Sequence, residues 1–285
     1  MAYNAGSDPT LAELISRSFV PVVASKDALA AVKSNLVCVN AFNTNFRNQL
    51  KRGYKVEIPV FTSVTTTEVT PGTEPTAADA STSSVSITVD KWEHAAAEIS
   101  NLMAIEEVAD YLKGAIDECA QAVAKSIDSD VNSLFSTLSS SSVYGSDGQA
   151  FTDEIFVDLV ETLDEADVPD DGKRVLIGDP STRADLLLID KFVRSDYVRE
   201  TVPTGKVGML YNVNCFFTNN LTAATTGAYG VLAHRDAIGI VIQKDISVKH
   251  FDMSYKFIQK IICDAAWGAD EIRDTFGKSF YTRKK

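Results

Sequence analysis

The pair Gly205-Lys206 could bind phosphate, because a Gly-Lys step closes the glycine-rich loop of nucleotide-binding proteins. That loop also needs a glycine five residues before Gly205 and a Ser or Thr directly after the lysine. The sequence has Glu200 and Val207 at these two positions. We therefore predict no nucleotide site here.

Histidine and serine patterns give no catalytic site either. His94, His234 and His250 lack the i, i+4 spacing of a zinc protease helix. The glycines around Ser146, in the run 145–148, have the wrong spacing for a nucleophile elbow, and the run is typical of a turn. Carboxylate pairs are frequent, so a two-carboxylate site stays open as an alternative. We predict a non-enzymatic protein without a cofactor or metal site.

The four cysteines (Cys38, Cys119, Cys215 and Cys263) are far apart, without the close spacing of a zinc or redox motif. They indicate reduced, buried thiols in a cytoplasmic protein. The N-terminus shows no signal-peptide pattern, and no apolar run reaches the roughly 18 residues of a membrane-spanning helix. With 45% hydrophobic and 23% charged residues, the composition is that of a soluble globular protein.

The net charge of −12 comes from one part of the chain. Residues 126–172 contain twelve acidic residues and no Lys or Arg. Nucleic-acid binding needs clustered Lys and Arg, so this composition argues against it. The acidic stretch indicates a solvated surface, or one that avoids adhesion to nearby DNA.

Residues 54–94 predict a long two-stranded ribbon. Apolar residues alternate with polar ones on both sides of a Pro-Gly turn at 70–75, the period of a β-strand. An isolated ribbon is marginally stable in water, and the sequence offers no obvious local cover for its apolar face. We therefore expect another subunit to cover it. A hairpin folded on its own domain and a disordered Ser/Thr linker are the alternatives.

Residues 103–138 predict a long helix with one buried face. Apolar residues recur with a period near 3.6 from Ile105 to Leu138, and the Ser run 139–142 is expected to stop the helix. At a rise of about 1.5 Å per residue, this helix would be longer than the core of a small domain is wide. A coiled coil is the weaker alternative, because a charged e/g pattern is missing.

The rest of the sequence, outside the ribbon and the long helix, predicts mixed α and β structure. Thr152 and Asp179 are expected to cap helices, and a strand at 175–177 precedes Asp179. Further strands are expected at 213–217, 240–242 and 246–248, with a strand favoured at 257–262. Two irregular stretches are expected: a basic loop at 192–206 and a turn or bulge at 267–269. In the N-terminal 53 residues, Ser25 to Ala31 is expected to start a helix.

The order of these parts resembles the major capsid proteins of tailed bacteriophages, which have the Hong Kong 97-type fold. Five stretches carry the resemblance, and two of them are similar to short-tailed, podovirus-like members. They are 53–59 (GYKVEIP), 86–91 (SITVDK), 175–180 (VLIGDP), 233–239 (AHRDAIG) and 267–273 (WGADEIR), the last two being the podovirus-like ones.

The resemblance implies an α+β fold of five parts. They are an N-terminal arm (1–53), an extended β-hairpin loop (54–94), a peripheral domain with a spine helix (95–145), an axial domain (146–237) and the closing strands of the peripheral domain (238–285). It implies that hexamers and pentamers of the chain form an icosahedral shell around double-stranded DNA, without sequence-specific binding. Scaffolding and portal proteins are the implied partners, and the location is the virion, with assembly in the host cytoplasm.

Two groups of residues are expected at the contacts between subunits. The apolar face of the ribbon and the basic loop supply them: Val56, Ile58, Val60, Val85, Ile87, Val89, Lys191, Arg194, Arg199 and Lys206. An encapsulin-like bacterial compartment has the same fold and stays an alternative. An acidic cytoplasmic α/β enzyme is a further one.

Overall fold

A computed structural model describes residues 37–46, 53–61, 66, 68–69, 71–72, 82–100, 111–138, 143–189 and 209–283. The expected helix at 25–31 and the basic loop at 192–206 lie outside these residues. The helices are α1 Cys38–Ala41, α2 Tyr111–Ser133, α3 Asp153–Glu165 and α4 Pro180–Leu188. The strands are β1 Lys55–Phe61, β2 Thr82–Thr88, β3 Lys91–Ser100, β4 Arg174–Gly178, β5 Met209–Leu210, β6 Val213–Phe217, β7 Tyr229–His234, β8 Ile238–Met253, β9 Ile258–Glu271 and β10 Gly277–Tyr281. Short 3-10 helices cover Leu134–Ser136 and Asp274–Phe276.

A five-stranded sheet in the order β10-β7-β4-β6-β5 forms the centre of one half of the chain. Strands β4 and β6 are parallel, and the other pairs are antiparallel. Helices α3 and α4 begin at the predicted caps: Thr152 accepts a hydrogen bond from the Ile155 amide, and Asp179 accepts one from the Thr182 amide. The last strand, β10, lies in the part that the sequence division assigns to the peripheral domain, and it pairs with β7.

A three-stranded antiparallel sheet, β3-β9-β8, packs one face against α2. Ile261, Cys263 and Trp267 of β9 are fully buried in the cluster that also contains Val123 and Val131 of α2. Since side chains alternate across a strand, the even-numbered residues of β9 face the opposite side. This leaves a second sheet face that α2 does not cover.

Strands β8 and β9 correct two predictions. The two strands expected at 240–242 and 246–248 are one strand of 16 residues, with register shifts between Ile242 and Ser247. The turn or bulge expected at 267–269 is wrong, because these residues lie inside β9, where all three pair with β8 and Trp267 also pairs with β3. Gly268 suggested a turn there, but in the structure its lack of a side chain allows the Thr88 backbone to lie close to it. The strand favoured over a helix at 257–262 is confirmed from Ile258 onward.

The predicted long helix is confirmed over its described part, and it ends before the predicted Ser run. Helix α2 ends at Ser133, and a 3-10 turn follows. The hydroxyls of Ser133, Ser136 and Thr137 each donate to the carbonyl three residues back, at 2.6, 3.1 and 2.9 Å. Such bonds compete with the helical pattern, which explains the earlier end. Residues 103–110 lie outside the described part of the chain.

Candidate assembly surfaces

The ribbon is present, and its apolar residues lie on one face. Strands β1 and β2 are antiparallel, with Val56 opposite Ile87 and Ile58 opposite Val85. Opposed residues in such a pair share a face, so Val60 and Val89 lie on that face too. The structure thus brings together all six ribbon residues that the sequence predicted as contacts.

The base of the ribbon, however, has a local cover inside the same chain. Ile87 is fully buried against Val241 of β8, and Val56, Ile58 and Ile272 pack around this pair. The expectation that the chain offers no cover is wrong for this part, because the covering strands come from a distant part of the sequence. Ile87 therefore belongs to the interior of the subunit, while Val56, Ile58, Val60, Val85 and Val89 keep partly exposed side chains.

A close backbone contact fixes the ribbon base on the sheet. A Cβ atom at Gly268 of β9 would lie 2.0 Å from the carbonyl oxygen of Thr88. Glycine is therefore needed here for close approach. The Val89 amide also donates to the Tyr54 carbonyl at 2.8 Å, which closes the ribbon at its base.

The basic residues Lys191, Arg194, Arg199 and Lys206 lie outside the described residues. On both sides of this segment the chain exposes large apolar side chains: Leu188 at the end of α4, and Met209 and Tyr211 after it. Exposed apolar residues at an edge strand are typical of contact surfaces. The described residues that flank this segment in the chain are thus suited to contact.

One exposed surface was missed at the sequence level. An open groove of about 330 Å³ lies on the sheet face opposite α2, and its walls come from all three strands. Its lining is Trp92, His94, Lys249, Phe251, Ile262 and Asp264. The alternation in 91–100 and the aromatic residues there and at 251 were the available signals. These signals could not show that β3 and β8 flank β9 in one sheet.

The carboxylate of Asp264 organises this groove. It contacts the Lys244 ammonium, accepts from the Ser247 hydroxyl at 2.7 Å and accepts from the Trp92 indole N–H at 3.1 Å. These three partners, with Lys244 first, hold the pKa of Asp264 well below its usual range. The carboxylate is charged at neutral pH and fixes the orientation of Trp92.

A buried polar cluster fastens α1 to the spine helix. Asp128 is fully buried and accepts from the backbone amides of Cys38, at 2.9 Å, and Val39, at 3.4 Å. The Cys38 thiol donates to the Asn132 side chain at 2.8 Å. Burial raises the pKa of Asp128 and that of Cys38. These contacts anchor the point where the described N-terminal segment meets the subunit.

The histidines have structural partners. Buried His234 contacts Asp171 at 3.1 Å and accepts from the Asp236 amide at 3.2 Å, which ties β7 to the turn before β4. His250 Nε2 contacts the side-chain amide oxygen of Gln259 across the hairpin at 3.3 Å. Within the described residues, no group of three or more His, Cys, Asp or Glu side chains could hold a metal ion. No helix in the described part of the chain is long and apolar enough to cross a membrane.

Comparison with solved structures identifies the fold. No protein-family model and no curated protein matches the chain. A structure from Mycobacterium phage Che8 superposes with a TM-score of 0.77 at 19% identity, covering 92% of this chain and 97% of the other. A capsid structure of the cyanophage P-SCSP1u gives 0.76 at 15% identity, with coverages of 100% and 97%. The capsid of a native GTA particle superposes with a TM-score of 0.70 at 12% identity, covering 96% of this chain and 100% of the other. The chain therefore has the Hong Kong 97-type fold of phage capsids.

Proposed function

We propose that this chain is the major capsid protein of a tailed bacteriophage. The observation that carries the proposal is the match to phage capsid structures over 96–100% of the chain, together with the two-stranded ribbon. In this role the chain forms hexamers and pentamers that close into an icosahedral shell. The role is structural, and the chain performs no reaction.

The parts of the fold take the following roles in the proposal. The ribbon and the loop at its tip reach a neighbouring subunit, and the spine helix with the three-stranded sheet forms the peripheral domain. The five-stranded sheet forms the axial domain near the capsomer centre, with β10 as its last strand. Residues 1–53 are the N-terminal arm in this proposal, and its described part is held by the buried Asp128 cluster.

Two groups of side chains are proposed as contacts between subunits. The partly exposed ribbon residues Val56, Ile58, Val60, Val85 and Val89 form the first group, and Lys191, Arg194, Arg199 and Lys206 form the second. Many weak, symmetric contacts are enough for a closed shell, so no single residue has to dominate.

The shell encloses double-stranded DNA without reading its sequence. The excess of acidic residues supports this, because a net charge of −12 disfavours tight adhesion to phosphate. Scaffolding and portal proteins are the proposed partners, and the protein is located in the virion after assembly in the host cytoplasm.

A deletion tests the role of the ribbon in assembly. Residues 62–81 are replaced by Asn-Gly, which joins the paired residues Phe61 and Thr82 by a two-residue turn. The deletion spares Ile87, so the subunit keeps its core. We expect the wild-type chain to form closed shells and the variant to give folded, soluble subunits or capsomers. Closed shells of the variant at wild-type yield would contradict the role of the ribbon.

A further inference from the structure

Two of the four buried cysteines lie against each other. Cys119 is on the buried face of the spine helix α2, and Cys263 is on β9, the central strand of the three-stranded sheet. Both belong to the same hydrophobic cluster, and their thiols are in side-chain hydrogen-bond contact. The Cys263 Sγ also lies 4.0 Å from the carbonyl oxygen of Ile116, about one turn before Cys119 on α2. The Cys263 thiol therefore faces the turn of the helix that contains Cys119.

Rigid surroundings hold the two thiols together. Cys263 pairs with Ala95 of β3 on one side and with Val248 of β8 on the other. Cys119 begins the apolar stripe that continues through Val123 on α2 and packs on the sheet. The sulfur atoms cannot move far apart unless the helix leaves the sheet. Groups held in contact react with each other much faster than with separate molecules, because their effective concentration is high.

The other two cysteines have different partners. The Cys38 thiol donates to the Asn132 side chain at 2.8 Å. Cys215 contacts the Val213 carbonyl of its own strand at 3.8 Å and lies in the second hydrophobic cluster. These two thiols are therefore internal controls for a reaction specific to the pair.

The two thiols of the pair differ in their access to solvent. Cys119 is 7% exposed, whereas Cys263 is 0% exposed. Burial raises the pKa of the Cys119 thiol, while the contact with Cys263 stabilises its thiolate. The exposed acids Asp117 and Glu118 precede Cys119 and repel anionic oxidants, and the small exposed area excludes large ones. A small uncharged peroxide meets both conditions, and Cys119 is the thiol that it reaches first.

We propose that Cys119 and Cys263 form a disulfide when a peroxide reaches the folded subunit, and that this bond braces the spine helix against the sheet. In the proposed capsid role, the thiols stay reduced during assembly in the host cytoplasm, and the bond forms after the particle enters an oxidising medium. This timing rests on the proposed function. The reaction is a property of the folded chain and does not depend on assembly.

The reaction uses one peroxide molecule per pair. The Cys119 thiolate attacks one peroxide oxygen, the O–O bond breaks, and the leaving hydroxide takes up the proton that Cys119 lost, which gives water and a sulfenic acid. The Cys263 sulfur then attacks the Cys119 sulfur. The S–S bond forms, the S–O bond breaks, and hydroxide leaves as water with the Cys263 proton. Two thiols are oxidised to one disulfide, and the peroxide is reduced to water.

Peptide mapping tests the reaction on the full wild-type chain. The chain is reduced, freed of reductant, treated with hydrogen peroxide, alkylated and digested with trypsin. Trypsin cleaves after Lys and Arg, so each cysteine of the pair lies on a peptide of its own, 114–125 and 261–273. We expect these two peptides to be joined, with a mass loss of about 2 Da for two hydrogens, and to separate after addition of dithiothreitol.

Variants and a gel assign the bond to this pair within one chain. In Cys119→Ala, Cys263 is expected to stay reduced, because the accessible thiol is gone. The Cys38→Ala/Cys215→Ala control should still join the two peptides, and the oxidised wild type should stay at 30.9 kDa on a non-reducing gel. Separate peptides in the wild type, a link to Cys38 or Cys215, or a dimer band in place of the monomer would overturn the inference. The wild-type map needs no variant, so it decides even where a variant fails to fold.

Thermal unfolding tests the bracing role. The bond joins residues that are far apart in the sequence, so it closes a long loop and lowers the entropy of the unfolded chain. We expect the oxidised protein to unfold about 5 °C or more above the reduced protein, and dithiothreitol to remove the shift. Equal midpoints would contradict the bracing role. Normal shells with separate peptides would refute the bond and spare the proposed function, whereas a bonded chain that never assembles would do the reverse.

Discussion

The contact between Gly268 and the ribbon gives the most specific stability prediction. The change is Gly268→Ala, which adds a single methyl group. That Cβ would lie 2.0 Å from the Thr88 carbonyl oxygen and 2.8 Å from its carbon. Both are backbone atoms, so no side chain can rotate away, and the ribbon base has to move off the sheet.

The expected cost follows from what the movement disturbs. Overpacking of a fitted contact costs about 1–3 kcal/mol of unfolding free energy. If the ribbon base separates fully, Ile87 and Val241 become exposed, and each of these buried side chains contributes about 1.5–3 kcal/mol. We therefore expect a loss of about 1–3 kcal/mol, with about 6 kcal/mol as the upper limit for complete separation.

Urea denaturation followed by circular dichroism measures the loss, and limited proteolysis of the ribbon shows whether its base has separated. Gly114→Ala is the matched control, because nothing lies within 4 Å of its added Cβ and it sits on the exposed side of α2. That control is expected to gain about 1 kcal/mol from helix propensity. A Gly268→Ala variant as stable as the wild type would refute the contact.

Three further predictions concern polar groups and thiols. Asp179→Ala removes the N-cap of α4, because Asp179 Oδ1 accepts a hydrogen bond from the Thr182 amide at 2.9 Å. We expect the unfolding free energy to fall by about 1 kcal/mol in a denaturant titration. A loss near zero would show that the cap is dispensable. Burial raises the pKa of Asp128 above its ordinary value near 4, so the folded state takes up a proton before the unfolded state as the pH falls. The unfolding free energy of the wild type, minus that of Asp128→Asn, should therefore rise from pH 7 to pH 4; a flat difference would contradict this. All four cysteines are free and buried, so they should react with a thiol reagent slowly in the native protein and rapidly in urea, and fast native labelling would argue against their burial.

Local patterns in the sequence predicted the elements that local chemistry determines. The two ribbon strands follow from alternation, and the starts of α3 and α4 follow from Thr152 and Asp179 as caps. The described part of the spine helix follows from its apolar period. These features depend on residues within a few positions of each other, so the printed order is enough to reveal them.

Long-range packing limited the remaining predictions. Gly268 suggested a turn, because glycine is common in turns. The sequence alone does not show that this glycine is needed for the close approach of the Thr88 backbone. Ile87 appeared to need another subunit, because its cover, Val241, is far away in the chain. The groove around Trp92 arises only when β3 and β8 flank β9, which no local pattern predicts.

The mass of the assembled protein tests the central claim most directly. The full chain is expressed, first alone and then with a scaffolding protein, and its mass is measured by sedimentation, with negative-stain imaging of the heavy fraction. The account predicts megadalton closed shells or capsomer rings built from 30.9 kDa subunits. A species that stays at 30.9 kDa under both conditions would contradict the account.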